Sequence, residues 1–161
     1  MRFVPLAFAA AVAVLATFGG TETSLAKATR KIDPAAVMHE RHEGMESIGK
    51  NFKTLHRELD AAEPDLTAVR GSASTIADLS KKASGWFPAG TGPELGKTGA
   101  KPEIWQTPQD FAAKLITFQK AAQAYKAIVA GNDVSAMKAG FANLGGTCKA
   151  CHDKYRAEMK H

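Results

Sequence analysis

The chain carries two cysteines in 161 residues, Cys148 and Cys151, both close to its C-terminus. A scaffold of several disulfides is therefore excluded, as is a zinc site built on two cysteine pairs. No tract repeats, and no segment is of low complexity. Almost nothing alternates with the period of a β-strand. The longest apolar run, residues 3–18, falls short of the roughly 20 residues that cross a bilayer as a helix. Lysine and arginine exceed aspartate and glutamate by 21 to 16, a net charge of +5. The excess is spread rather than clustered. It suits docking to an acidic partner and argues against nucleic-acid binding.

The two cysteines stand in Cys148-Lys149-Ala150-Cys151-His152. Spacing of three puts both thiols on one face of a helix, and the next residue is a histidine. This is the C-x-x-C-H arrangement to which c-type haem is attached, the thiols adding to the vinyl groups and the imidazole becoming an axial ligand of iron. A disulfide between neighbours on one helix lacks the usual backbone geometry. A thioredoxin-like pair needs a strand leading into the motif within a βαβ unit, which is not visible here. A zinc site lacks a second Cys/His pair. One covalently attached haem c is the expected cofactor.

The N-terminus fits export. Arg2 supplies a positive start, the uncharged run from Phe3 to Phe18 follows, and Gly19-Gly20 breaks it. Small residues around Ser24-Leu25-Ala26 and Ala26-Lys27-Ala28 suit a processing site. The expectation is a cleaved secretory signal over residues 1–26, a domain over 27–161 with no membrane span, and a periplasmic location in a bacterium.

Four segments of that domain keep a helical period. The first opens at Asp33-Pro34, with Met38, Met45, Phe52 and Leu59 every seventh residue and Ile48 and Leu55 between them, and stops before Pro64. The second runs from about Asp65 to Gly85, with Leu66, Val69, Ala73, Ile76, Leu79 and Ala83 inward. A connection rich in Gly, Pro and Lys follows, studded with Trp86, Phe87, Ile104 and Trp105, and so expected to fold back over the core. Thr107-Pro108 is read as the cap of the third helix, which carries Phe111, Leu115, Phe118, Ala122, Tyr125 and Val129 and closes at Gly131. The fourth runs from about Asp133 to Lys160, with Val134, Met137, Phe141, Leu144, Cys148, Cys151, Tyr155 and Met159 on one face. Two short links and one long one fit an all-α, antiparallel up-down-up-down four-helix bundle.

Cys148 and Cys151 share the core stripe, so the haem is expected inside the bundle. Gly145-Gly146, one turn earlier, either makes room for the porphyrin or is a weak spot of about 1 kcal/mol per glycine. In the first helix Arg41 is the misfit of the inward series. It reads as a stem snorkelling to solvent or as a guanidinium that binds a haem propionate. Met45, one turn on, reads as core filler or as a second axial ligand. His39 and His42 lie off the stripe, so a bis-histidine site is disfavoured.

Taken together, Arg41-His42-Glu43-Gly44-Met45 with Gly49, Trp86-Phe87-Pro88-Ala89-Gly90-Thr91, Lys101-Pro102-Glu103-Ile104-Trp105, and Cys148 to His152 followed by Tyr155-Arg156 resemble the cytochrome c' family, including its low-spin relatives with a methionine sixth ligand. The resemblance spans the whole of the domain. It implies that Cys148, Cys151 and His152 bind the haem, that Arg41 contacts it, and that Met45 faces the open side of the iron. It also implies that Arg156 is a basic neighbour of the proximal ligand and that Phe87 is a haem neighbour. His152 and Met45 are the implied iron ligands. Such a protein carries electrons, or, with an empty sixth position, binds small gases such as nitric oxide. Nothing resembling a nucleophile–base pair points to an enzyme. The resemblance further implies a homodimer through the first two helices, which needs apolar residues left over for their outer face; Leu79 and Ile76, already counted in the inward series, are a thin basis for it. A haem-free structural bundle is the remaining reading.

Overall fold

A computed structural model describes residues 32–158. The expected signal over 1–26 and the outermost stripe residue, Met159, lie outside the described residues.

Helix α1 spans Pro34–Asp60, α2 Leu66–Lys82, a short α3 Glu103–Gln106, α4 Pro108–Ile128 and α5 Val134–Tyr155. Three of the long helices begin on an aspartate whose carboxylate accepts the orphan amides of the first turn. Asp33 accepts from Ala35 and Ala36 at 3.0 and 3.4 Å. Asp65 accepts from Thr67 and Ala68 at 2.8 and 3.1 Å. Asp133 accepts from Ala136 at 3.0 Å. At the other end of α4 the Arg70 guanidinium collects free carbonyls, donating to Val129 O and Gly131 O, both at 2.9 Å. A cation placed there also opposes the negative end of the helix dipole.

Two expected boundaries are corrected. Thr107 does not cap α4 with its side chain. Its hydroxyl instead meets Glu103 O at 2.8 Å and the Tyr155 hydroxyl at 2.8 Å. And α5 stops at Tyr155, short of Lys160, because the chain turns extended to pair with the long connection. There Lys101 N–H donates to Tyr155 O at 3.0 Å and Ala157 N–H to Gly99 O at 2.9 Å, around a single antiparallel bridge between Ala100 and Arg156.

The four long helices pack in a ring, α1 on α2, α2 on α4 and α4 on α5, with the contact between α1 and α5 the sparsest side. Their buried stripe is the one expected: Leu55, Leu59, Val69, Ile76, Phe118, Tyr125, Met137 and Leu144 form one cluster. Side chains of this size contribute about 1.5–3 kcal/mol each when removed from water. Phe52 of α1 stacks on Phe141 of α5, ring centroids 4.4 Å apart. Ile76 belongs to this core at 1% exposure, so it is not the outer residue that a homodimer through α1 and α2 was expected to use. Leu79 is half-buried and lines a groove with Glu40, Gly44, Lys82 and Trp86. No helix among the described residues is long and apolar enough to cross a membrane.

Candidate functional site

Helix α5 carries Cys148 and Cys151 one turn apart, both half-buried and both free thiols. They touch different apolar clusters. Cys148 packs against the main core, and Cys151 against a second cluster of Ile104, Phe111 and Tyr155. Phe87 and Leu115 touch both clusters. Burial pushes each thiol pKa up, with the charge of Lys114 opposing the rise at Cys151, so both stay protonated at neutral pH. His152 follows on the exposed side. The protein around it and then the Arg156 cation hold its imidazole below the usual pKa, with Asp153 opposing. The neutral form, the one that ligates metals, is thereby favoured. Arg156 is itself exposed, and its amide caps α5 by donating to His152 O at 3.0 Å.

Across the sparse side of the bundle, α1 presents Met45, half-buried and packed on the same core as Cys148. Arg41 lies one turn before it. At 5% exposure it does not snorkel to solvent. The guanidinium donates through Nη1 to Trp86 O at 3.2 Å and Thr91 Oγ1 at 3.3 Å, and through Nη2 to Thr98 Oγ1 at 3.3 Å. Its carbon stands 5.2 Å from the centre of the Phe87 ring and 5.9 Å from that of Trp105, within the range of a cation–π contact. These partners are neutral. Burial lowers the pKa of Arg41, and the charge of Glu94 opposes this. The long connection thus folds back as its aromatics implied. Trp105 Nε1 donates to Pro88 O at 3.0 Å and Trp86 Nε1 to Glu40 Oε1 at 3.2 Å. Gly44 lies under the Trp86 ring, which a Cβ there would overlap.

His39 and His42 are both exposed, and His42 clusters with Glu43 and Glu46 on the solvent side of α1. They are not brought to the cysteines. Gly145 has its space taken by protein, since a Cβ would meet the Phe52 ring at 3.1 Å, and Gly146 faces nothing within 4 Å. Close packing on Phe52 is thus one reason for a glycine at position 145.

A sequence model of the family described as Cytochrome C' matches residues 36–156. The chain belongs to the cytochrome c' family. It is similar to the cytochrome c' of Rhodospirillum rubrum, 34% identical over 149 residues that cover 91% of this chain and 96% of that one. The crystal structure of cytochrome c' from Thermochromatium tepidum superposes with a TM-score of 0.74 at 30% identity, covering 79% of this chain and 98% of that one. A nitric oxide complex of a cytochrome c prime variant from Alcaligenes xylosoxidans superposes with a TM-score of 0.71 at 25% identity, covering 80% and 99%.

The family binds one covalently attached haem c, and the side chains of this cytochrome c' homologue fit it. The two thiols straddle a division in the core. Arg41 is a buried cation whose hydrogen bonds go to uncharged oxygens, which suits a propionate. The least occupied side of the bundle lies between the helices bearing Met45 and Cys148. Sequence reasoning missed Thr91, Thr98 and Trp105 around Arg41 and Asp110 beside Tyr155. Each sits far along the chain from its partner, and no local spacing signals it.

Proposed function

We propose that the chain is exported to the periplasm with residues 1–26 removed and works there as a monohaem cytochrome that carries electrons rather than as an enzyme. Cys148 and Cys151 would hold the haem through thioethers and His152 would ligate its iron. Arg41 would take a propionate, Phe87 would be a neighbour of the haem and Arg156 of the ligating histidine, and Met45 would be a second iron ligand. When bound, the haem supplies a one-electron iron couple whose potential the axial ligands set. The protein's share is to hold the ligands, keep His152 neutral and exclude water from the opposite side. The observation that carries the reading is Met45, packed on the same apolar core as Cys148 from the facing helix. Acidic periplasmic redox partners and a second copy of the chain are the expected partners.

A second reading has Met45 as a steric gate over five-coordinate, high-spin iron that binds nitric oxide, favoured by the relative's nitric oxide complex. The optical and magnetic spectra of the ferric protein separate the two. Ligation by Met45 predicts low-spin iron with a methionine-to-iron charge-transfer band, lost in Met45→Ala. It also predicts slow carbon monoxide uptake by the ferrous protein that becomes fast in that variant. High-spin iron with fast uptake in the unaltered protein overturns ligation and leaves the gas-binding reading.

A further inference from the structure

The axial histidine sits where a helix holds its side chains least well. His152 is in the last turn of α5, which ends at Tyr155, and last turns fray unless their carbonyls find partners beyond the helix. Its side chain is exposed, so packing does not fix the ring.

Tyr155, one turn later on the buried side of the helix, is fastened instead. It is 3% exposed and stands edge-on to Phe111 at 5.1 Å. Its carbonyl accepts from Lys101 N–H at 3.0 Å. At the far end of the side chain, the hydroxyl donates to Asp110 Oδ2 and lies 2.8 Å from Thr107 Oγ1. An ionised carboxylate only accepts, so the tyrosine proton goes to Asp110, and the single Thr107 proton is shared between Glu103 O and the phenol oxygen. Lys154 Nζ donates to the same Asp110 oxygen at 2.9 Å. Backbone and side chain of one residue thus tie the end of α5 to the connection at 99–101 and to the first turn of α4. The ties continue through Phe111, edge-on to Phe87 at 4.7 Å, to the ring under Arg41.

We infer that Tyr155 is a positioning residue for His152: its hydroxyl, held by Asp110 and Thr107, locks the last turn of α5 and so fixes the orientation of the imidazole on the iron. The inference rests on His152 being the axial ligand. Partners one step removed from a metal set ligand orientation and tune the metal's potential.

The test uses the haem-loaded protein with Tyr155→Phe, which keeps the ring and removes only the hydroxyl, and Asp110→Ala, which removes the acceptor and leaves Tyr155. Readouts are the ferric electron paramagnetic resonance spectrum, the midpoint potential, and amide exchange at Lys101 and Ala157. Loss of a hydrogen bond to a charged group predicts about tenfold faster exchange at those two amides. It also predicts a broadened or shifted resonance spectrum and a displaced potential in both variants, with Asp110→Glu restoring the original values. If both variants keep the original spectrum and potential, Tyr155 is only a packing residue and the inference falls, whatever the melting temperature does. His152→Ala separates the two claims. If it retains the original spectrum the ligand assignment is wrong; if it loses it while Tyr155→Phe does not, only the positioning role is.

Discussion

Tyr125 shows how far a single residue can be read from spacing. Its place in the series Phe118, Ala122, Tyr125, Val129 marks it as inward, and it is 1% exposed. Spacing says nothing about its hydroxyl, which finds no partner among the described residues. Burial pushes the phenol pKa from 10.0 up to about 12. A raised acid pKa means that the folded chain keeps a proton which the unfolded chain releases. Stability is therefore lost as pH climbs from about 10 towards 12. Tyr125→Phe is expected to stabilise the protein by about 1 kcal/mol at neutral pH, the order of the penalty for an unpaired buried hydroxyl. It should also remove that alkaline decline. Urea denaturation at pH 7 and pH 11 checks both. Arg41 shows the same limit: its misfit in the inward series was legible, whereas its acceptors Trp86, Thr91 and Thr98 come from the distant connection and were not.

At the scale of elements, boundaries set by local chemistry were legible and those set by distant partners were not. Asp33, Asp65 and Asp133 each cap the helix that follows, as sequence rules expect. Thr107 departs because its hydroxyl donates back to Glu103 O and meets Tyr155, far along the chain. The early end of α5 has the same origin in the pairing with 99–101. Asp110 joins these two elements. Its hydrogen bonds from Tyr155 and then Lys154 hold the carboxyl below the ordinary carboxylate range, although the group is exposed. A depressed pKa contributes stability that is complete above the unfolded value, about 3.9, and is lost as pH falls towards the folded one. Asp110→Asn is expected to flatten this part of the acid decline, with little change near neutrality beyond a constant offset. Melting temperatures between pH 7 and pH 3 for the two proteins test it. Parallel acid declines would show that the Asp110 contact does not persist in solution.

For the whole molecule, the bundle follows from four apolar stripes and the lengths of their links, and all four long helices occur where the period put them. The haem was legible from five residues, Cys148 to His152. What the sequence could not convey is how the core is arranged around the cofactor. There are two apolar clusters, one on each thiol, with Phe87 and Leu115 touching both, and the contact between α1 and α5 is thin. A large apolar cofactor attached to the two thiols would sit at that division, join the two halves and supply burial that the side chains alone do not. Covalent attachment would keep it there at any protein concentration, so its binding energy would become folding energy. Replacing both cysteines, Cys148→Ala with Cys151→Ala, should yield protein without covalent haem and several kcal/mol less stable. In a domain of this size that lowers Tm by on the order of 10 °C or more. The loss should also be uneven. Amide exchange should speed most around Met45, Leu115 and Tyr155, and least around Leu55, Val69, Ile76 and Met137, which are fully buried in the main cluster. Calorimetry of the double variant beside the haem-loaded protein, with exchange mapped residue by residue, tests both parts. A double variant that melted at the original temperature would mean that the bundle closes its own core and that the haem is a passenger in the fold.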